Sequence, residues 1–286
     1  MVGFKWALLV FALIGLVFVL LSVFGAARWS RATEALHARM DAARSPPAVT
    51  RYDPRELEGL PAPAQRYFRH VLTEGQPMIA AVTVQHEGSF NTGEQQDQWR
   101  PFTSRQRVVT RRPGFVWDGK VQMLPGLPVR VHDAYVAGEG ILHPAILGLF
   151  TLVDLRGTGE VAEGELMRWF AEAVWYPTAL LPSQGVRWQA VDDRSAVASF
   201  TDGAVHLRIT FRFGADGMVE AAHVAARGRT VQGRVVPTPW EGVFTNVQLQ
   251  EGMRVPMSGE VAWLTPEGRR PYWRGTITSL RYEFAP

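Results

Sequence analysis

VHLRITFRF-GADG-MVEAAHV, residues 205–224, decides the fold. Val205, Leu207, Ile209, Phe211 and Phe213 share one face, and His206, Arg208, Thr210 and Arg212 take the other. That period of two is what a half-buried strand requires, and the glycine-bounded turn between the two runs makes them a hairpin. The same pattern recurs downstream and just upstream. VRWQAVD-DR-SAVASF turns at Asp193-Arg194, VFTNVQLQ-EG-MRVPMSGEVAWL at Glu251-Gly252, and VAWL-TPEGRRP-YWRGTITSLRYEF around Pro266 to Gly268. FVW-DG-KVQM carries Asp118-Gly119 between two alternating runs, the strongest short hairpin signal in the chain. With IAAVTVQHEGSF, DQWRPFTSRQRVVTR and VRVHDAYVAGEG, the sequence predicts about ten strands.

Short turns between consecutive strands imply an antiparallel meander, because parallel pairing needs a crossover of a dozen or more residues. A sheet that large curls or splits into two layers. The expected fold is therefore mainly β (α+β), a large curved antiparallel sheet or half-barrel over residues 50–286. It packs around one inserted helical block at 141–184. A short helix is expected over Ala62 to Leu72, with Tyr67, Phe68 and Val71 on one side.

The N-terminus has a different character. Trp6 to Ala27 carries no charge over about twenty residues, the length a helix needs to cross ~30 Å of hydrocarbon. The run is longer than the apolar region of a signal peptide, about 7–15 residues, so residues 1–28 read as a retained single-pass anchor and not a cleaved leader. Residues 29–49 read as a juxtamembrane helix and linker, broken at Pro46-Pro47. Arg28, Arg31, Arg39 and Arg44 follow the apolar run against Lys5 before it, which by charge counting favours a cytoplasmic domain.

Composition excludes several classes. The 286 residues hold 30 Lys+Arg and 27 Asp+Glu, a formal net charge of +3, and no long basic run, so nothing points to nucleic acid. Lys5 and Lys120 are the only lysines; codon usage in a GC-rich genome explains an arginine excess as well as anion recognition does. The absence of cysteine excludes disulfides, thiolate metal sites and a cysteine nucleophile. The seven histidines form no HExxH or His-x-His pattern, and no GxSxG elbow, GxGxxG fingerprint or P-loop is present. No catalytic residue, metal ligand or cofactor is assigned.

GELMRWFAEAVWYPTALLPSQGVRW, residues 164–188, is the densest stretch. It predicts a helix over 163–175 that ends before Pro177. Glu165, Arg168 and Glu172 share one stripe, with Arg168 and Glu172 spaced for an i,i+4 ion pair; Leu166, Trp169, Phe170 and Ala173 take the other side. On the simplest reading the helix covers the sheet with its charges in water. On the sharper one it lies across the mouth of the curved sheet, with Trp169, Phe170, Trp175, Tyr176, Trp188 and Trp117 as candidates to contact an apolar ligand. The other strand tryptophans, Trp99, Trp240, Trp263 and Trp273, read as core.

LPAPAQRYF (60–68), the helix motif at 164–182, TPWEGVF (238–244) and GEVAWLTPEGRRPYWRGTITSLRYEF (259–284) resemble a group of bacterial proteins known as a domain of unknown function, often set behind one N-terminal membrane helix. The resemblance implies no activity and no catalytic residue. A meander plugged by helices is also similar in architecture to the curved-sheet carriers of bacterial lipoproteins, although this chain lacks a lipobox cysteine. That likeness favours an extracytoplasmic domain, against the charge count, and the facing stays open between the two arguments. Three functions are expected from these residues. The favoured one is binding of an apolar or lipid-like molecule between sheet and helix at a membrane. The others are a hydrolytic enzyme of the cell envelope using His132, Asp133 and Glu172, with His143 as a further partner, and a non-catalytic scaffold.

Overall fold

A computed structural model describes residues 2–46, 48–93, 96–231 and 234–286. Of the Pro46-Pro47 pair, Pro47 lies outside the described residues. Two antiparallel meanders make up the sheet. The first is β1 (Ile79–Asn91), β2 (Trp99–Val109), β3 (Gly114–Leu124), β4 (Leu127–Val136), β5 (Glu139–Ile146), β6 (Phe150–Thr151) and β7 (Leu155–Gly157). The second is β8 (Arg187–Asp192), β9 (Ser195–Asp202), β10 (Val205–Phe213), β11 (Val219–Val231), β12 (Arg234–Gln250), β13 (Met253–Thr265) and β14 (Gly268–Phe284). β1 pairs with β14, from Ile79↔Phe284 to Phe90↔Trp273, and joins the two into one open 14-stranded sheet in the order β6-β5-β4-β3-β2-β1-β14-β13-β12-β11-β10-β9-β8, with β7 on β5.

The sheet rolls up without closing. Tyr135 of β4 donates through its hydroxyl to Asp202 of β9 at 2.7 Å, although eight strands separate them along the sheet. Helix α3 (Glu160–Ala171) spans the same gap, touching β3, β4, β5 and β7 of one meander and β10 and β11 of the other. One source of the bend is a line of glycines across the central strands: Gly88 faces Gly275, which faces Gly259. A Cβ on Gly88 would lie 1.9 Å from the Arg274 carbonyl oxygen, so only glycine lets the backbones approach this closely.

The four hairpins expected in the second meander form: β8 pairs with β9, β10 with β11, β12 with β13 and β13 with β14. Glu251 and Gly252 take positive φ values of 45° and 84°, as a two-residue hairpin loop demands. Asp118-Gly119 does not form a turn. Both residues sit inside β3, paired opposite His132 and Val131, and the chain reverses later, at Pro125-Gly126, where Gly126 has φ +75°. Tertiary contacts outweigh the local signal: Asp118 accepts hydrogen bonds from Trp29 Nε1 (2.9 Å) and Thr33 Oγ1 (3.2 Å), and the Trp117 indole lies over Gly119. The strand count exceeds the expected ten because β5, β6 and β7 run to Gly157, so the helical block starts only at Glu160.

That block is α3 followed by three 3-10 turns, Glu172–Trp175, Pro177–Leu180 and Pro182–Gln184. Tyr176, at φ −137° and ψ 65°, leaves the helical region before Pro177, as a residue preceding proline does. Helix α2 (Ala62–Val71) buries Tyr67, Phe68 and Val71 in the same core.

Helix α1 (Val2–Ala42) is continuous, roughly 60 Å long at 1.5 Å per residue. From Phe4 to Phe24 its large apolar side chains are exposed, and it is long and apolar enough to cross a membrane. Beyond Gly25 it docks on the outer face of the sheet. Leu36 and Met40 join Ala81, Val109, Val116, Ala134 and Ile141 in a second core, and Trp29 stacks on His132 at 3.9 Å. Salt bridges from Arg39 to Glu139 (2.6 Å) and from Arg107 to Asp41 (3.0 Å) flank this seam.

Candidate functional site

Between the rolled sheet and α3 lies a cavity of about 520 Å³. Its walls come from β1, β3, β4 and β5 on one side, from β11 to β14 on the other, and from α3 with the following 3-10 turn. Most of the lining is apolar: Val121, Val129, Val131 and Leu142 of the first meander face Val261 and Phe244 of the second.

Three W-x-G triplets shape the walls: Trp117-Asp118-Gly119, Trp240-Glu241-Gly242 and Trp273-Arg274-Gly275. Residues i and i+2 share a strand face, so each indole can lie across its own glycine. A Cβ on Gly119 would fall 2.1 Å from the Trp117 ring, one on Gly275 2.4 Å from the Trp273 ring, and one on Gly242 3.1 Å from the Trp240 ring. The indoles thus lie flat along the walls and leave the centre empty. All three tryptophans line the cavity, as does Trp263, which stacks on Tyr272. Sequence reasoning placed Trp240, Trp263 and Trp273 in the core; the repeated triplet was the signal that could have found two of them.

One wall is polar. Arg168 of α3 bonds to Asp133 of β4, to Glu172 at 2.7 Å and to Gln106 Oε1 at 3.1 Å, and Gln106 in turn donates to Glu172 at 2.6 Å. The guanidinium sits 5.0 Å above the Phe115 ring and 5.3 Å from that of Trp117. Burial opposes its charge, but the carboxylates of Glu172 and Asp133 outweigh burial and hold it protonated. Glu165 is also buried. Burial first, then the neighbouring Asp133, push its carboxyl well above the usual range, against Arg227 and Arg168. Glu165 Oε2 and Asp133 Oδ1 have no donor while both groups are ionised; a proton kept on Glu165 gives it Asp133 as acceptor. Arg227 completes the wall, 5.2 Å over the Trp240 ring and donating to the Gly164 carbonyl. The stripe expected in water is therefore enclosed: Glu165, Arg168 and Glu172 face the cavity because strands of both meanders close over them, while Glu160 and Glu163 in the first turn of α3 stay exposed. With Glu165 protonated, Asp133 and Glu172 balance Arg168 and Arg227.

The six aromatic candidates divide. Trp117 and Trp175 line the cavity, and neither indole N–H has a partner among the described residues. Trp169, Phe170, Tyr176 and Trp188 lie outside the lining, in the core behind it. There Trp169 donates to the Val109 carbonyl (3.1 Å), Trp188 to that of Leu180 (3.0 Å), and Tyr176 to that of Trp169 (2.5 Å). Phe170 packs against Phe200 and Phe211.

The grouping of His132, Asp133 and Glu172 does not assemble. Adjacent strand residues point to opposite faces, so Asp133 meets Arg168 inside while His132 turns outward to Thr33 Oγ1 (2.7 Å) and Trp29. His143 is the cross-strand partner of His132 and also lies on the outer face, stacked against Trp29. Among the described residues no group of three or more His, Asp or Glu is arranged to hold a metal ion.

Fold and cavity together define a class: an open, rolled antiparallel sheet that encloses an apolar chamber with one polar wall, behind a long apolar N-terminal helix. The chain belongs to the family of unknown function DUF6920, which it matches over residues 58–282. No curated protein matches it. Among solved structures it is similar to a DUF1329 family protein from Desulfovibrio piger, at 12% identity over 72% of this chain and 86% of that one, TM-score 0.39. A LolA superfamily protein from Nitrosomonas europaea is similar at 13% identity over 80% and 96% of the two chains, TM-score 0.35. A β-barrel-like DUF1849 protein from Brucella abortus follows at 9% identity over 72% and 99%, TM-score 0.25.

Proposed function

We propose that the protein binds an apolar or lipid-like ligand in the chamber between sheet and α3, while its N-terminal helix holds it at a membrane. One observation carries the reading: a cavity of about 520 Å³, within the range of small-molecule sites, with walls of valine, leucine and indole and one internally neutralised polar patch. Apolar walls favour an alkyl or ring body, and the two unpartnered indole N–H groups with the Arg168 cluster favour a small polar head. The set of contacts then centres on Trp117, Trp175, Trp240 and Trp273, with Trp169, Phe170, Tyr176 and Trp188 supporting the wall from behind.

Mass spectrometry of the full chain, extracted in a detergent whose mass is distinguishable, should reveal a retained lipid or apolar molecule. Val131→Trp, which fills the chamber, should lose it while keeping a cooperative melt. Retention of the same complement by Val131→Trp would refute the reading. For the anchor, residues 6–27 should hold the intact protein in membranes through salt and carbonate washing. A mature N-terminus near Arg28 would show cleavage instead, and a C-terminal reporter fusion reads the facing.

A further inference from the structure

Two connections at one end of the sheet break the rule that turns are polar. Residues 121–129, VQMLPGLPV, and 144–153, PAILGLFTLV, contain no charged side chain. Leu124, Phe150, Leu152 and Val153 are exposed at their tips. Both connections lie against the apolar half of α1. A Cβ on Gly126 would touch the Phe18 ring at 4.0 Å, and Gly25 packs so closely on the second segment that a Cβ there would lie 2.2 Å from the Leu147 carbonyl oxygen. Phe18 is nine residues before Ala27, where the uncharged run ends, which is about 14 Å along a helix.

A helix that enters the bilayer at residue 27 therefore carries the β3–β4 turn to the depth of Phe18 and the segment after β5 to that of Gly25. Both connections also reach the chamber, because Met123 and Leu152 line it together with Pro144. Further back from the tips are Arg28, Lys120 and Arg130, none with an ion-pair partner among the described residues. Lys120 precedes Leu124 by four strand residues, about 13 Å, so it stands at headgroup level when the tip is in hydrocarbon.

We infer that these two apolar connections are a second membrane-inserting element beside α1, and that the mouth of the chamber opens into the bilayer, so that ligand passes sideways from the lipid and not through water. The inference rests on the anchoring role given to α1 above. Its occupant is the hydrocarbon surface of a bilayer, with Arg28, Lys120 and Arg130 favouring anionic headgroups.

The lack of cysteine allows a clean test. In the full chain reconstituted into vesicles of phosphatidylcholine and phosphatidylglycerol, a bimane fluorophore is placed in turn at Leu124→Cys, Val153→Cys, Val17→Cys and Ala215→Cys. Val17 lies mid-helix in the apolar run, and Ala215 lies on the exposed β10–β11 turn. Lipids with a nitroxide in the acyl chain should quench positions 124 and 153 as well as 17, and leave 215 bright. Quenching at 17 with 124 and 153 as bright as 215 overturns the insertion and leaves the anchor standing. No quenching at 17 removes the anchor itself and the inference with it.

Discussion

Glu165 holds its proton because burial and the neighbouring Asp133 both disfavour a further negative charge there. Its raised pKa gives stability a definite pH dependence. Below its ordinary value both folded and unfolded chains hold the proton. As pH rises past that value the unfolded chain releases it while the folded chain does not, so stability falls until the folded carboxyl itself ionises. Glu165→Gln keeps a donor toward Asp133 and removes the titration. Urea melts of this variant should lie above those of the parent at neutral pH and coincide with them in acid; equal midpoints at both would refute the shared proton. The two unpartnered indoles allow a sharper test of the chamber. Trp117→Phe and Trp175→Phe delete one N–H each and take ring volume from the side of a space that is already open, so the melt should fall less than for a deletion to alanine, while ligand retention weakens.

Within α3 and its neighbours, position relative to the chamber sets the cost of a deletion. Trp169→Ala leaves a void in a closed core and removes the hydrogen bond to the Val109 carbonyl, so about 3–5 kcal/mol is expected by denaturant titration. Trp175→Ala enlarges a space that already exists, and a smaller loss is expected. Strand elements carry a related prediction. Gly119→Ala puts a methyl into the Trp117 indole and should cost about 1–3 kcal/mol, the usual range for overpacking. It also drives the ring into the chamber, so ligand retention should fall with the melt. If Gly119→Ala melts with the parent and keeps its ligand, the flat-lying indole is not what holds the wall open.

At the scale of the whole molecule, α1 is both membrane segment and part of the fold. A chain beginning at Arg28 keeps Trp29, Leu36 and Met40 on the sheet. One beginning at Ala43 removes them, losing about 1.5–3 kcal/mol for each buried side chain and baring the second core. The first should melt close to the parent and the second well below it; equal melting would mean the seam adds nothing. Acid acts on the same seam and on the chamber. Burial holds His132, beneath Trp29, and His86, beside Trp175, down to about 3, so both stay neutral in the fold. Below about pH 6.5 the unfolded chain takes up protons that the folded chain refuses, and stability drains away as pH falls toward 3, on the order of a few kcal/mol per histidine. His132→Gln and His86→Gln should each flatten part of that acid limb.

The alternation in β10 and β11, the Glu251-Gly252 hairpin and the 22 uncharged residues from Trp6 to Ala27 were determined by the sequence alone, because side-chain period, positive φ and helix length are local properties. Part of the opening of the chamber was also written locally, in three W-x-G triplets, although only a bent sheet brings them around one space. The rest belonged to the tertiary structure. Asp118-Gly119 has the chemistry of a turn, yet it lies in mid-strand because Trp29 and Thr33, about ninety residues upstream, hold the aspartate. Glu165, Arg168 and Glu172 read as a solvated stripe, since helical spacing records which residues share a face and says nothing of what covers it. The cover comes from two meanders joined through β1 and β14, the most distant pairing in the chain, and that closure turned three surface charges into the polar wall of a chamber.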